Sequence, residues 1–238
     1  MFVDNKLESF GFGWLRQRQF QQKSYQKRER VRVYNKRTYI RKLYTPMNED
    51  WKEKDHYDEI AKALASLISG NLGKSDKYTV KSLIGEISSA LRTLIANGYD
   101  AGEVLKDYSE RVHRLFLDVS ILVENKSNGK FEIIIFEVKK GTKLGLNELA
   151  QLIGYCLVSK QKFGVLVNVD DGVSENFSII LQGDPNLTTI ERLIDGEVLR
   201  HEMGVMVWNS HTKNFEYTQT AAIKNIPDLV TKIEASLK

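Results

Sequence analysis

The run Phe131-Glu-Ile-Ile-Ile-Phe-Glu-Val-Lys-Lys140 constrains the fold more than any other stretch of this chain. A continuous Ile/Phe/Val run of this length reads as a strand buried on both faces, so it requires a sheet covered by a further layer on each side. Its charged end, Glu137 and Lys139, then belongs at a sheet margin. Two residues apart on a strand means the same face, about 6–7 Å apart along the chain, with Val138 turned into the opposite layer. An acid and an ammonium side by side, just before a loop containing Gly141, are placed to act on something anionic.

The pattern acid-x-Lys occurs four times, at Asp4/Lys6, Asp50/Lys52, Glu124/Lys126 and Glu137/Lys139, and only the last closes an apolar run. The bland alternative is a solvated strand end carrying an ordinary surface ion pair. The preceding strand argues against it. Arg114-Leu-Phe-Leu-Asp-Val-Ser-Ile-Leu-Val123 is mostly apolar but broken by Asp118, and Asn125-Lys-Ser-Asn-Gly129 behind it has hairpin-turn composition. A buried Asp is costly unless a cation or hydrogen bonds compensate it. With the turn centred near Ser127, positions summing to about 255 face each other, which sets Asp118 opposite Glu137.

Adjacent carboxylates repel unless a cation intervenes. Oxygen ligands from Asp118 and Glu137, with a backbone carbonyl such as that of Val138 and several waters, suit Mg²⁺ or Mn²⁺. Lys139 is then placed to orient water or balance charge on phosphate.

Asp118, eighteen intervening residues and Glu137-Val138-Lys139 at a strand end followed by a helix resemble the PD-(D/E)XK nuclease superfamily, which includes restriction endonucleases, Holliday-junction resolvases and phage exonucleases. The resemblance covers about residues 78–170. It implies an α/β fold with a restriction endonuclease-like core, a central mixed β-sheet flanked by helices. In chain order that core is a helix, three antiparallel strands, a second helix and a further strand. One departure is Leu117, where the family usually has Pro.

Thr79 through Gly98 carries apolar residues at 80, 83, 84, 87, 91, 94 and 95, which reads as a helix closed by Gly98. By resemblance, Glu86 on it is an additional metal or water ligand; otherwise it is an exposed helical glutamate. Leu146–Ser159 reads as the second helix, with Gln151 and Tyr155 on one face. The resemblance assigns Gln151 to metal-bound water or phosphate and Tyr155 to the DNA backbone. Phe163–Asp170 supplies the next buried strand. One of the three antiparallel strands has no evident counterpart.

Charge is distributed unevenly. Residues 1–46 hold twelve Lys/Arg against three Asp/Glu, a net +9 in a chain of net +4, which leaves −5 on residues 47–238. Nine aromatics from Phe2 to Tyr44 alternate with these cations. Basic side chains match a phosphate backbone and aromatics stack on bases, so a DNA-contacting arm is expected at 1–46, using Arg16, Arg18, Lys27, Arg28, Arg30, Arg32, Lys36, Arg37, Arg41 and Lys42. A solubilising tail or a subunit contact are the alternatives. Residues 47–238 are expected to form one nuclease-like domain. The single Cys156 gives no disulfide framework, and no stretch is long and apolar enough for a membrane span, so a cytoplasmic, intracellular protein is expected. His56, His113, His201 and His211 lack zinc-ligand spacing, and only His113 is expected near the site. Further on, Phe177–Leu181 and Gly204–Trp208 read as strands, Leu187–His201 as a helix and Ile226–Leu237 as a terminal helix.

The expected function is metal-dependent hydrolysis of DNA phosphodiester bonds through Asp118, Glu137 and Lys139, in a homo-oligomer, with a dimer favoured. The alternatives are a non-catalytic DNA-binding or assembly protein of the same fold, or an enzyme acting on an anionic metabolite, for which no cofactor motif is present.

Overall fold

The computed structural model describes residues 54–73, 76–194, 196–218 and 220–238. Segment 1–46, with the DNA contacts expected of it, lies outside these residues. Strands β2 (Phe116–Asn125) and β3 (Phe131–Lys140) form the expected hairpin, and its registered pairs run from Glu124 opposite Phe131 to Val119 opposite Phe136, each summing to 255. Strand β1 (Tyr78–Glu86) adds antiparallel to the outer edge of β2, and β4 (Phe163–Val169) adds parallel to β3. Strand β6 (Glu197–Asn209) runs parallel to β4 and pairs antiparallel with both β5 (Thr189–Ile194) and β7 (Asn214–Tyr217). The result is a mixed seven-stranded sheet in the order β1-β2-β3-β4-β6-β5, with β7 also on β6.

Helices cover both faces, as the uninterrupted apolar runs require. On one face, Ile60, Leu64 and Ile68 of α1 (Tyr57–Asn71) and Leu229, Val230 and Ile233 of the last helix pack on Val119, Ile121, Phe136, Val138 and Val167. On the other, α2 (Ile87–Ala96), α3 (Glu103–Arg111), α4 (Leu146–Ser159) and α5 (Glu175–Gly183) place Leu91, Leu105, Leu149, Leu152, Phe177 and Leu181 over Leu122, Ile133, Ile135 and Leu166. The last helix is α6 (Ile226–Ser236), with Pro227 in its first turn. Helix α4 comes very close to β4 at Gly164, where an added Cβ would lie 2.7 Å from Cys156 Sγ and 3.0 Å from a Leu152 methyl. Among the described residues no helix is long and apolar enough to cross a membrane.

Three expected elements differ. The helix expected over Thr79–Gly98 is a strand followed by a helix. Gly85, at φ +84°, sits at a register shift, and β1 satisfies the outer edge of β2 that a single long helix would leave bare. The strand expected at Phe177–Leu181 lies inside α5, whose first turn is capped by Ser174 Oγ accepting the Phe177 N–H at 3.3 Å. The helix expected over Leu187–His201 is instead a 3₁₀ turn (Pro185–Thr188) and the β5–β6 hairpin, with Gly196 at φ +87° in its turn. The third antiparallel strand that the sequence left unassigned is β1.

Candidate functional site

At the end of β3, alternation sends Glu137 and Lys139 toward the layer of α2–α5 and Val138 into the core under α1 and α6. Glu137 is only 2% exposed and its Oε1 lies 2.7 Å from Lys139 Nζ. A carboxylate so deep needs a cation or donors, which this ion pair supplies.

Asp118 does not pair with Glu137 across the hairpin. The β2–β3 register stops at Val119 opposite Phe136, while on β1 it jumps from Ile84 opposite Val119 to Gly85 opposite Leu117. Asp118 is therefore the extra residue of a β-bulge, a device that re-aims a side chain at a strand end. Its carboxylate reaches β3 through the main chain instead: Oδ2 accepts the Val138 N–H at 2.8 Å, and Oδ1 accepts the Tyr57 hydroxyl at 2.6 Å. Asp118 is thus bonded to the main chain of the Glu-Val-Lys segment and to α1, while the Glu137 carboxylate, which was expected to face it, is turned to the opposite layer and paired with Lys139.

The rim of the site lies at the carboxyl ends of parallel β3 and β4, the usual position for sites on sheets of this kind. Lys139 stands opposite Asn168, which is fully buried. The Asn168 amide donates to the Thr142 carbonyl at 2.7 Å, and its Oδ1 accepts the Gly172 N–H. Leu144 N–H donates to Gly172 O, and Ser174 N–H to Leu144 O, each at 3.0 Å, so the loops after β3 and β4 are bound together. Lys140 points the other way from Lys139, with Nζ 2.5 Å from His56 Nε2. Beyond it, burial pushes the Asp170 carboxyl up, but Ser210 N–H and Oγ, at 2.8 and 2.7 Å, and the charge of Lys140 outweigh this and hold it below the ordinary value.

The other expected site residues are placed as follows. Glu86 ends β1 rather than lying on a helix, opposite Phe116. Its carboxylate accepts from the Ser88 and Ser89 hydroxyls, and the Ser88 bond above all holds its pKa below the usual carboxylate value. Gln151 and Tyr155 share a face of α4 as expected, where the exposed Gln151 amide donates to Tyr155 Oη at 2.9 Å. The histidine beside the site is His56. His113 instead lines a separate cavity with Tyr108, Arg111, Val158 and Lys160.

Among the described residues no three His, Cys, Asp or Glu side chains are grouped to hold a metal ion. A cation at this strand end would draw on the Asp118 carboxylate, bonded from the α1 side, and on Glu137, turned to the opposite layer, with main-chain and water oxygens completing its shell. That donor set suits Mg²⁺, which keeps several waters and takes one or two carboxylates. Among the described residues the bonds to Asp118 use one acceptor position on each oxygen, and a carboxylate oxygen has two.

Sequence reasoning passed over Tyr57, His56 and Asn168. Tyr57 reads as one more apolar position of an amphipathic helix, and nothing local marks its hydroxyl. Asn168 did carry a signal: like Asp118, it is a polar residue inside an otherwise apolar strand.

No protein-family model, curated protein or solved structure matches this chain.

Proposed function

We propose that this chain is a metal-dependent nuclease of the PD-(D/E)XK kind, hydrolysing DNA phosphodiester bonds at Asp118, Glu137 and Lys139. The observation that carries the proposal is the Asp118 carboxylate bound to the Val138 N–H, between Glu137 and Lys139 in the chain, at the end of a central strand. The element order gives it support. Helix α1, antiparallel β1, β2 and β3, helix α4 and parallel β4 follow the sequence of elements that the resemblance implies, with α2 and α3 inserted between β1 and β2.

In this scheme Asp118 and Glu137, with the Val138 carbonyl, hold Mg²⁺ or Mn²⁺. Such an ion, when bound, would supply positive charge to the phosphate oxygens. Lys139, fixed by Glu137, orients the attacking water and balances charge on the phosphate. Gln151 and Tyr155 on the exposed side of α4 contact the DNA backbone. The cations and aromatics of segment 1–46 add affinity that does not depend on base sequence.

The test is cleavage of plasmid, linear, single-stranded and branched DNA with Mg²⁺ or Mn²⁺. Wild type is expected to cut at least one substrate, and Glu137→Ala to be inactive with its fold retained. Undiminished cutting by the variant removes this site from the mechanism. A second reading is a non-catalytic DNA-binding protein of the same fold. It draws on the Asp118 bonds themselves, because a carboxylate with both oxygens hydrogen-bonded can serve structure alone. It predicts salt-sensitive binding through 1–46 and no metal-dependent cleavage.

A further inference from the structure

We infer that Tyr57 is a positioning residue for the Asp118 carboxylate, fixing the plane of the oxygens offered to a divalent cation; this rests on the metal-site reading proposed above. The terminal torsion of an aspartate is broad and twofold, so a carboxylate on a bulged strand end has no preferred plane of its own. The Val138 N–H fixes one oxygen, but a single bond leaves a pivot. The Tyr57 hydroxyl, at 2.6 Å from the other oxygen, closes it.

The donor is itself set by the core and not by a loop. Tyr57 opens α1, is 8% exposed and packs in the same cluster as Ile60, Ala61, Val119 and Val138. Helix α1 therefore reads out the sheet position and transmits it to the carboxylate across 61 residues of chain. Among the described residues each Asp118 oxygen carries one hydrogen bond, and with both in place the carboxylate plane has a defined direction. Donors that hold ligating carboxylates from behind in this way are worth about 10–100-fold in metal affinity.

The test is calorimetric titration of the full chain with Mn²⁺ alone, without DNA, for wild type, Asp118→Asn, Tyr57→Phe and Glu59→Ala. Glu59 lies on the same turn of α1 and is ion-paired with Lys213 at 2.6 Å, so its replacement disturbs the helix end without touching Asp118. The expected result is binding by wild type, loss in Asp118→Asn, at least tenfold weaker binding by Tyr57→Phe, and Glu59→Ala within twofold of wild type. Tyr57→Phe within twofold of wild type overturns the positioning role while leaving the metal site standing. Equal weakening by Glu59→Ala also overturns it, because the effect would then belong to helix docking. Wild type and Asp118→Asn binding alike, or neither binding, removes the metal site and the positioning role together. Melting curves accompany each titration; should Tyr57→Phe fail to fold, Tyr57→Met is titrated against the same tenfold criterion.

Discussion

Gly164→Ala tests the seating of α4 on β4, which sets how far Gln151 and Tyr155 stand from the end of β3. The new methyl would lie 2.7 Å from Cys156 Sγ and 3.0–3.1 Å from two carbons of Leu152, and both neighbours are fully buried. Neither can swing into solvent, so the helix must lift or the strand must bend. Overpacking of this sort costs about 1–3 kcal/mol. The loss of glycine freedom in the unfolded chain offsets about 0.4–1 kcal/mol of that. The net is a destabilisation of about 1–2 kcal/mol, which for a unit of this size lowers Tm by roughly 2–8 °C. Urea unfolding followed by circular dichroism measures it, with a lower midpoint and an unchanged slope expected. Cys156→Ala removes the nearest atom, so the double variant should be more stable than the two single effects predict by about 1 kcal/mol. A Gly164→Ala midpoint at or above wild type, or strict additivity with Cys156→Ala, would falsify the close helix–strand approach.

Asn168→Ala removes the acceptor for the Gly172 N–H and the donor to Thr142 O inside a buried site, at a cost of about 2 kcal/mol. Hydrogen exchange at Gly172 should accelerate while Leu149 on α4 stays protected; an unchanged Gly172 rate contradicts the clamp. Burial pushes the Cys156 thiol and the Tyr108 phenol each up to about 12. Both are raised acids, so the stability they contribute is present below their unfolded values, about 8.5 and 10, and is lost as pH rises toward 12. Urea midpoints should therefore be lower at pH 10 and 11 than at pH 8, and Cys156→Ala should flatten the part of that fall that begins below pH 10. The same burial predicts that Cys156 resists thiol reagents at pH 8 until the protein is unfolded, and rapid native-state labelling would contradict it.

The parts of the fold that were legible are those whose burial leaves no choice. Strands β2, β3 and β4 are covered on both faces, so their apolar runs can be nothing else, and the hairpin sum of 255 held for every registered pair. Strand β1 was not legible because it is an edge strand with exposed positions at Lys81, Ser82 and Ile84, which leaves apolar spacing that a helix fits as well. Gly85 was the usable signal. The Phe177–Leu181 run was too short for periodicity to separate helix from strand, although Ser174 marked a cap. The Asp195-Gly196 dipeptide, between two runs with exposed apolar side chains, was a hairpin signal that the Leu187–His201 helix assignment overrode. For the site, the residue types at Asp118, Glu137 and Lys139 could be chosen from context, but not the bulge. A bulge depends on which of two neighbouring strands keeps register, a tertiary matter with no local composition. Tyr57 was invisible for the same reason, since its partner lies 61 residues away.

Strand β3 is the line along which the antiparallel pairs β1-β2-β3 meet the parallel pairs β3-β4-β6, and the two sets differ in the length of chain each must close. The β2–β3 hairpin closes through residues 126–130 alone, whereas joining β4 and β6 requires crossovers through α4, α5 and β5. Short closures come first and distant ones later. The bond from Val138 to Asp118 lies within the hairpin, 20 residues apart in the chain, whereas the Tyr57 bond spans 61 and needs α1 docked on the sheet. If closures form in order of length, the aspartate is expected to be hinged before it is locked, so a chain lacking only the docked α1 would carry the residues of the site without its geometry.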